Sequence, residues 1–262
     1  MAILFSGDFH ANSTGELSVI NNKSLLKKYR REKYNKIRYH IILGDCGFLW
    51  PGNHQADENN FMELSRRPFP VLCVIGNHEP ILGIDNLPET DIGIGENVYQ
   101  IRNNPFVAYL KRGKVYTIDG FKILVLGGAL SIDKGYRTPN ITWWEREYWS
   151  EKEKQDVLTL IETENVFDCV ISHTGPNRVN KMLFQYPSFF PKLMQDEVAF
   201  LNDRIDAQIQ YRDWWCGHWH HDLYYYDENA KKGYRYLYRT TKILDRADNQ
   251  MIVYNEDETT AK

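Results

Sequence analysis

The residues best suited to chemistry follow a short apolar run in the first third of the sequence. Val71–Ile75 consists of β-branched and apolar residues and ends in Gly76, Asn77, His78 and Glu79. Such a run is typical of a strand buried on both faces. In open α/β sheets, ligands bind where strands of this kind end. The amide, imidazole and carboxylate therefore predict a binding or catalytic site at this point.

Polar side chains of the same types follow four other apolar runs. In chain order they are Asp8 with His10, Asp45, His173, and His218 with His220. Imidazole nitrogen and carboxylate oxygen are ligands for Mn, Fe, Zn or Ni, whereas the cysteines show no zinc-ligand spacing. A single Asp-x-His or Gly-His-x-His could be a capping turn. Five such strand ends in series are hard to explain by turn propensity, and they predict a metal site.

In order and type, these motifs resemble those of the calcineurin-like metallophosphoesterases. The family series D-x-H, G-D, G-N-H-[DE], H and G-H-x-H corresponds here to Asp8-Phe9-His10, Gly44-Asp45, Gly76-Asn77-His78-Glu79, His173 and Gly217-His218-Trp219-His220. The resemblance spans residues 8 to 220. It implies an α/β (α+β) fold, a four-layer α/β/β/α sandwich of two mixed β sheets flanked by helices.

The resemblance also implies a role for each motif residue. Seven side chains would hold two divalent metal ions, with one carboxylate shared between the ions. The first set is Asp8, His10 and His220, the second is Asn77, His173 and His218, and the bridging residue is Asp45. Two such ions activate a hydroxide and stabilise both the attacking and the leaving oxygen. Mn is the preferred metal, with Fe, Zn or Ni as alternatives.

His78 lies one residue past a metal ligand, and the resemblance implies that it protonates the leaving alkoxide. A correctly placed general acid contributes about 10²–10⁴-fold. Protein Ser/Thr phosphatases of this superfamily extend the second motif to G-D-x-x-D-R-G, but here Phe48 and Leu49 replace the acid and the arginine. His78 therefore needs another orienting carboxylate. The candidates are Asp57, Glu58 and Glu79.

Phosphate binding must also come from outside the second motif. The basic candidates in loops near the motifs are Lys134, Arg137, Arg178 and Lys181. Arg137 is preferred because it lies in the longest connection, residues 130–149, and long connections in compact domains are usually functional or poorly ordered. Trp143 and Trp144 in the same connection would pack as a lid or stack on a base or aryl leaving group.

Sequence patterns also predict the elements that carry these residues. The predicted strands include residues 1–5, Ile37–Leu43, Val98–Ile101, Phe106–Leu110, Val166–Ile171, 213–216, and a hairpin of Lys114–Ile118 with Phe121–Leu126. The predicted helices are 23–34, Ala56–Ser65, one opened by a capping box at Ser150 and running to about Glu162, and one near 195–209. Two or three antiparallel strands should follow, up to Tyr254. The prediction is one domain over residues 1–262 with a frayed tail at 255–262.

Composition restricts the partners and the compartment. The net charge of −3 gives no sign of a basic surface for nucleic acid, and no apolar span is long enough for a membrane helix. No signal peptide is apparent, so a cytoplasmic location is expected. The four cysteines follow or lie within apolar runs and should be buried, reduced thiols.

The leading prediction is metal-dependent hydrolysis of a small nucleotide-like phosphate mono- or diester, with two-metal-activated hydroxide as nucleophile and His78 as acid. A phosphoprotein phosphatase is an alternative, which Phe48 and Leu49 weaken. A non-catalytic interaction module with this fold is a second alternative. It is disfavoured because all eight motif positions are intact.

Overall fold

The computed structural model describes residues 2–10, 36–52, 54–65, 68–102, 104–184, 196–247 and 250–254. Its strands are β1 (Ala2–Ser6), β2 (Ile37–Ile42), β3 (Val71–Cys73), β4 (Glu89–Thr90), β5 (Val98–Gln100), β6 (Val107–Tyr109), β7 (Lys114–Ile118), β8 (Phe121–Val125), β9 (Cys169–Ile171), β10 (Asp213–Cys216), β11 (Leu223–Asp227), β12 (Lys232–Tyr236), β13 (Thr241–Ala247) and β14 (Gln250–Tyr254). Its helices are α1 (His54–Ser65), α2 (Ile81–Asp85), α3 (Glu151–Thr163), α4 (Asn177–Phe184) and α5 (Glu197–Asp206).

The strands form two mixed sheets. The first has eight strands in the order β14-β13-β1-β2-β3-β6-β5-β4, and the second has six in the order β11-β12-β10-β9-β8-β7. In the first sheet β1, β2, β3 and β6 run parallel. In the second, β8, β9, β10 and β12 run parallel. The carboxyl ends of β1, β2 and β3 therefore share one edge, as do those of β9 and β10.

The two sheets pack face to face because alternate residues of their central strands are apolar on the inner side. Phe5 of β1 stacks on Trp215 of β10, with ring centroids 4.6 Å apart. The neighbouring Trp214 faces the other side of its sheet and packs in a cluster with Val157 of α3 and Leu201 of α5. This alternation places one apolar core between the sheets and another between the second sheet and its helices.

Helices also cover the outer face of the first sheet. Leu64 of α1 and Ile84 of α2 lie in one buried cluster with Val71 and Cys73 of β3. The layer order is therefore helix, sheet, sheet, helix, which confirms the predicted two-sheet sandwich.

Most of the predicted elements are present, with bounds shifted by one to three residues. The 114–118 strand and the 213–216 strand match the prediction, and Ser150 opens α3 with a capping box. The strand expected over Val166–Ile171 is shorter and begins at Cys169. Four strands, rather than two or three, follow His221 up to Tyr254. Helices α2 and α4 were not predicted.

Some of the remaining predictions fall outside the described residues, and the others can be compared with the structure. The helix at 23–34 and the tail at 255–262 lie outside the described residues. The connection 130–149 contains two short 3₁₀ turns, Lys134–Tyr136 and Glu145–Glu147. All four cysteines are buried and free, as predicted. Within the described residues, no helix has the length and apolar character needed to cross a membrane.

Candidate active site

The carboxyl ends of five parallel strands bring the predicted metal ligands together. His173, which follows β9 and is fully buried, is the central contact. Its Nε2 lies 3.0 Å from Asn77 Oδ1 and 3.2 Å from Asp45 Oδ1. Its Nδ1 lies 2.8 Å from the carbonyl oxygen of Leu43 and 3.5 Å from Asp8 Oδ1. Residues after β1, β2, β3 and β9 therefore meet within hydrogen-bond distance or close to it.

A second set of contacts joins the end of β1 to the segment after β10. His10 Nε2 lies 3.4 Å from His220 Nε2 and 3.9 Å from Asp45 Oδ2. His220 Nε2 lies 3.5 Å from Asp8 Oδ2. The backbone N–H of His218 donates to Asp8 Oδ1 at 2.8 Å. Asp8 thus contacts residues of both predicted ligand sets.

Asp45 is common to the two groups of candidate ligands. His10, Asp45 and His78 form one group, and Asp8, Asp45 and His173 form the other, with the ligand atoms of each group within 4.8 Å of one another. The shared position of Asp45 agrees with the predicted bridge. The grouping differs from the sequence prediction in placing Asp8 beside His173, and it brings His78 within reach of the first group.

Charge in the site is balanced between imidazoles and buried carboxylates. Burial acts to lower the pKa of His173, but Asp45 and Asp8 outweigh it and raise the pKa to about 10. Burial acts to raise the pKa of Asp45, but the imidazoles of His173, His78 and His10 outweigh it and hold that pKa well below its usual value. A metal ion bound here would replace a proton on His173 and leave a positive charge beside the same carboxylates.

The backbone is strained where it presents these side chains. His10, Asp45, His218 and His220 all adopt positive φ, between 42° and 66°. Positive φ is uncommon for residues other than glycine, and such strain persists where the surrounding structure holds it, often at functional sites. Close packing adds a second constraint, because a Cβ on Gly76 would collide with the side chain of Asp45.

His78 lies beside the ligand candidates, but a carboxylate does not orient it as predicted. Its backbone N–H donates to Asp45 Oδ1 at 2.8 Å, and its carbonyl accepts from the Trp50 indole N–H at 2.8 Å. Nη2 of Arg137 lies 2.5 Å from its Nε2 and 3.1 Å from its Nδ1. The group beside the imidazole is therefore a guanidinium.

The three predicted orienting carboxylates lie elsewhere. Asp57 accepts from the backbone N–H of Leu49 at 2.9 Å, and Glu58 is exposed on α1. Glu79 is fully buried and accepts from the backbone N–H groups of Gly76, at 2.6 Å, and Cys46. Burial raises the pKa of Glu79 to about 8. Glu79 links the turn after β3 to the turn after β2, and its two carboxylate oxygens are taken up by these backbone donors.

Among the four predicted phosphate-binding cations, Arg137 is the one that the structure brings to the site. Its Nε pairs with Asp133 at 2.8 Å, and its Nη1 donates to the carbonyl oxygen of Thr142 at 3.3 Å. The other three have different partners: Lys134 lies over the ring of Trp143, Arg178 pairs with Asp206, and Lys181 lies over the ring of Phe200. Trp144 is buried and contacts Trp50 edge to face, so it packs under the site.

A cavity of about 380 Å³ opens over this cluster. The predicted residues on its wall are Asp45, Asn77, His78, Arg137, His218 and His220, and the others are Leu130, Ile132, Asp133 and Trp219. Sequence reasoning missed the apolar part of the wall, and it also missed Ser131 and Glu147 behind Asn77. The signal that could have found them is the Gly127-Gly128 pair, which predicts a close backbone approach just before Leu130.

Strand-end carboxylates and imidazoles around one shared aspartate, on a two-sheet sandwich, define the metallophosphoesterase class of site. The sequence profile of the calcineurin-like phosphoesterases matches residues 1–222, and the chain belongs to that family. It is therefore a phosphoester hydrolase of a metal-dependent family.

Solved structures align with this chain at low sequence identity. One crystal structure aligns with a TM-score of 0.55 at 10% identity and covers 97% of this chain and 98% of its own. A novel archaeal phosphodiesterase aligns with a TM-score of 0.40 at 11% identity, covering 97% and 99%. The phosphopantetheinyl hydrolase of Mycobacterium tuberculosis aligns with a TM-score of 0.49 at 13% identity and covers 91% of this chain and 90% of its own. No curated protein matches the sequence.

Proposed function

We propose that the protein hydrolyses a small nucleotide-like phosphate mono- or diester with the help of two divalent metal ions. The proposed ligands are Asp8, His10, Asp45, Asn77, His173, His218 and His220. The observation that carries the proposal is the position of Asp45, which belongs to both groups of candidate ligands. The donor set fits such ions because it combines imidazole nitrogens with two buried carboxylates.

Bound ions would lower the pKa of a water molecule and stabilise negative charge on the reacting oxygens. Manganese is the proposed metal, with Fe, Zn or Ni as alternatives, because carboxylate oxygens suit Mn²⁺ while imidazole nitrogens also suit the other three. The expected cytoplasmic location stays a prediction from the sequence.

His78 is proposed to give its proton to the leaving oxygen. Its imidazole is about 29% exposed and lies on the wall of the cavity, so it can reach a substrate. The backbone hydrogen bonds to Asp45 and from Trp50 fix the position of the residue on the cavity rim.

Arg137 is proposed to bind a phosphate oxygen next to His78. The side chain is only 8% exposed, and its pairing with Asp133 fixes the direction of the guanidinium. The size of the cavity suits a small substrate, and Leu130, Ile132 and Trp219 offer an apolar surface to the organic part of the ester.

The phosphoprotein phosphatase alternative gains no support from the second motif. Phe48 is fully buried and packs against Phe9 and Phe61 in the core. Neither Phe48 nor Leu49 can replace the carboxylate and guanidinium of the phosphatase motif.

A substrate panel with added Mn²⁺ tests this function. The panel contains phosphate monoesters, bis(p-nitrophenyl) phosphate, cyclic nucleotides and phosphopeptides, with Asp45→Asn as the inactive control. We expect turnover of small mono- or diesters and much slower turnover of phosphopeptides. Faster phosphopeptide turnover would favour the phosphatase alternative. A protein that binds metal but hydrolyses none of these esters would favour the interaction module.

A further inference from the structure

A buried carboxylate lies behind the metal-ligand candidates and outside their set. Glu147, in the turn Glu145–Glu147, is fully buried. Its Oε1 accepts from the backbone N–H of Ser131 at 3.2 Å, and its Oε2 accepts from the Ser131 hydroxyl at 2.5 Å. A buried carboxylate is costly unless hydrogen bonds compensate it, and this one takes both donors of a single residue. The pairing therefore fixes the direction of the Ser131 hydroxyl.

The direction of that hydroxyl determines which way the amide of Asn77 faces. A hydroxyl has one hydrogen, and Ser131 gives it to Glu147, so its oxygen can only accept on the other side. The Asn77 side-chain Nδ2 donates to that oxygen at 3.0 Å. The opposite atom, Oδ1, is thereby turned to His173, whose Nε2 lies 3.0 Å away.

Amide orientation matters because only the oxygen can bind a cation. The terminal torsion of asparagine is broad and roughly two-fold, so the side chain by itself does not select between Oδ1 and Nδ2. With Nδ2 facing the site, Asn77 would present N–H groups to a positive ion. A partner that accepts a hydrogen bond from Nδ2 on the side away from the site disfavours this flipped orientation of the amide.

Buried contacts hold both the segment that leads to Ser131 and the turn that carries Glu147. Gly128 N–H donates to the carbonyl oxygen of Ile75 at 2.7 Å, two residues before Asn77. Arg112, whose side chain is 4% exposed, donates to the carbonyl oxygen of Tyr148 at 3.0 Å and pairs with Glu153. Ser131 and Glu147 therefore both lie next to backbone that buried contacts hold in place.

We propose that Ser131 and Glu147 are positioning residues that select the amide orientation of Asn77, with Oδ1 toward the metal site. The proposal rests on the proposed function, because it takes Asn77 as a metal ligand. In this proposal Ser131 and Glu147 affect the affinity of one metal site and do not contact the substrate.

Mn²⁺ titration of chelator-treated protein, followed by calorimetry, tests the proposal without any assay of turnover. Ser131→Ala and Glu147→Gln should each weaken one of two Mn²⁺ sites by about 10–100-fold, the usual loss when a partner of a metal ligand is removed. Ser131→Thr keeps the hydroxyl and should restore binding. Glu145→Gln makes the same charge change at an exposed position two residues away and should bind like wild type.

A second comparison separates amide orientation from a general structural role. In an Asn77→Asp background both side-chain atoms are oxygens, so adding Ser131→Ala should change Mn²⁺ affinity by less than about 2-fold, because no orientation is left to select. An equal loss in both backgrounds would overturn the proposal, as would two unchanged Mn²⁺ sites in the Ser131→Ala protein. If the wild-type protein binds no Mn²⁺, the proposed function is contradicted too. If the wild-type protein binds Mn²⁺ normally and either of the two results above is found, only the proposal about Ser131 and Glu147 is contradicted.

Discussion

The imidazole of His78 lies beside the guanidinium of Arg137. Burial and, to a smaller extent, Arg137 outweigh the carboxylate of Asp45 and lower the pKa of His78. A proton on this imidazole is therefore given up more readily than on an exposed histidine. The same shift leaves a smaller fraction of the imidazole protonated near neutral pH, so proton donation by His78 should weaken as the pH rises.

The substitution His78→Ala separates a role in proton donation from a role in metal binding. We expect metal content to stay at the wild-type level, while kcat/KM for alkyl esters falls by about 10²–10⁴-fold. Aryl esters such as p-nitrophenyl phosphate need little help from an acid and should lose much less. The measurements are metal analysis by mass spectrometry and kinetics on the two ester types.

Loss of one metal ion in the His78→Ala variant would contradict the assignment of His78 to proton donation alone. His78 lies in one candidate group with His10 and Asp45, so a ligand role is a concrete alternative. Equal losses for alkyl and aryl esters, together with reduced metal content, would show that His78 binds metal.

At the scale of the elements, the strand ends could be predicted and the long connection could not. Apolar runs such as Val71–Ile75 predict their own strands because burial on both faces leaves a local signature. The chemistry at their ends was also visible, since Asp45, Asn77 and His173 each follow such a run. Only the three-dimensional grouping, with Asp8 close to both sets, required the structure.

The contacts of residues 130–149 depend on residues far apart in sequence. Ser131 and Glu147 meet across 16 positions within irregular backbone, and no periodicity marks such a pair. Helix α4 spans only eight residues and follows Gly175-Pro176, so its periodic pattern is too short to predict a helix. Residues 217–222 form no strand, so strand alternation does not set the direction of the His221 side chain. His221 is kept off the cavity wall by a hydrogen bond to the Trp219 carbonyl.

The start of α3 anchors the long connection through a charged pair that titrates at low pH. Burial opposes ionisation of Glu153, but hydrogen bonds from Arg146 and Arg112 outweigh it and lower the pKa to about 2. A carboxyl whose folded-state pKa is below its unfolded value of about 4.5 stabilises the fold above pH 4.5. That contribution is lost as the pH falls from 4.5 to 2.

Glu153→Gln should therefore reduce the free energy of unfolding near neutral pH by roughly 1–3 kcal/mol, because Arg112 is left buried without its carboxylate. Glutamine preserves the capping box with Ser150, so the helix start is retained. Urea denaturation at several pH values measures the effect. The difference from wild type should disappear near pH 2, and a difference that is constant down to pH 2 would show that the ion pair is not its source.

At the scale of the whole molecule, the proposed metal site lies where the two sheets meet at one end of the sandwich. Asp8, Asp45 and Asn77 come from the first sheet, while His173 and His218 come from the second. An apolar core lies between the sheets, and the Phe5–Trp215 stack is one part of it. Bound metal ions would therefore join the sheets directly, and their binding energy would appear as resistance to unfolding.

Removal of metal should lower the melting temperature by an amount that depends on Asp45. An ion present at 100 times its Kd stabilises the folded state by about 2.7 kcal/mol, which corresponds to about 5–10 °C in a chain of this length. We expect Mn²⁺ to raise the Tm of chelator-treated protein by that amount, and Asp45→Ala to abolish most of the rise because both groups of ligands lose their shared member. Asp156→Ala, which removes an exposed carboxylate of α3, should leave the rise unchanged. Scanning calorimetry with and without Mn²⁺ measures the rise in Tm of each variant. An equal rise in Asp45→Ala would place the stabilising ions away from this site.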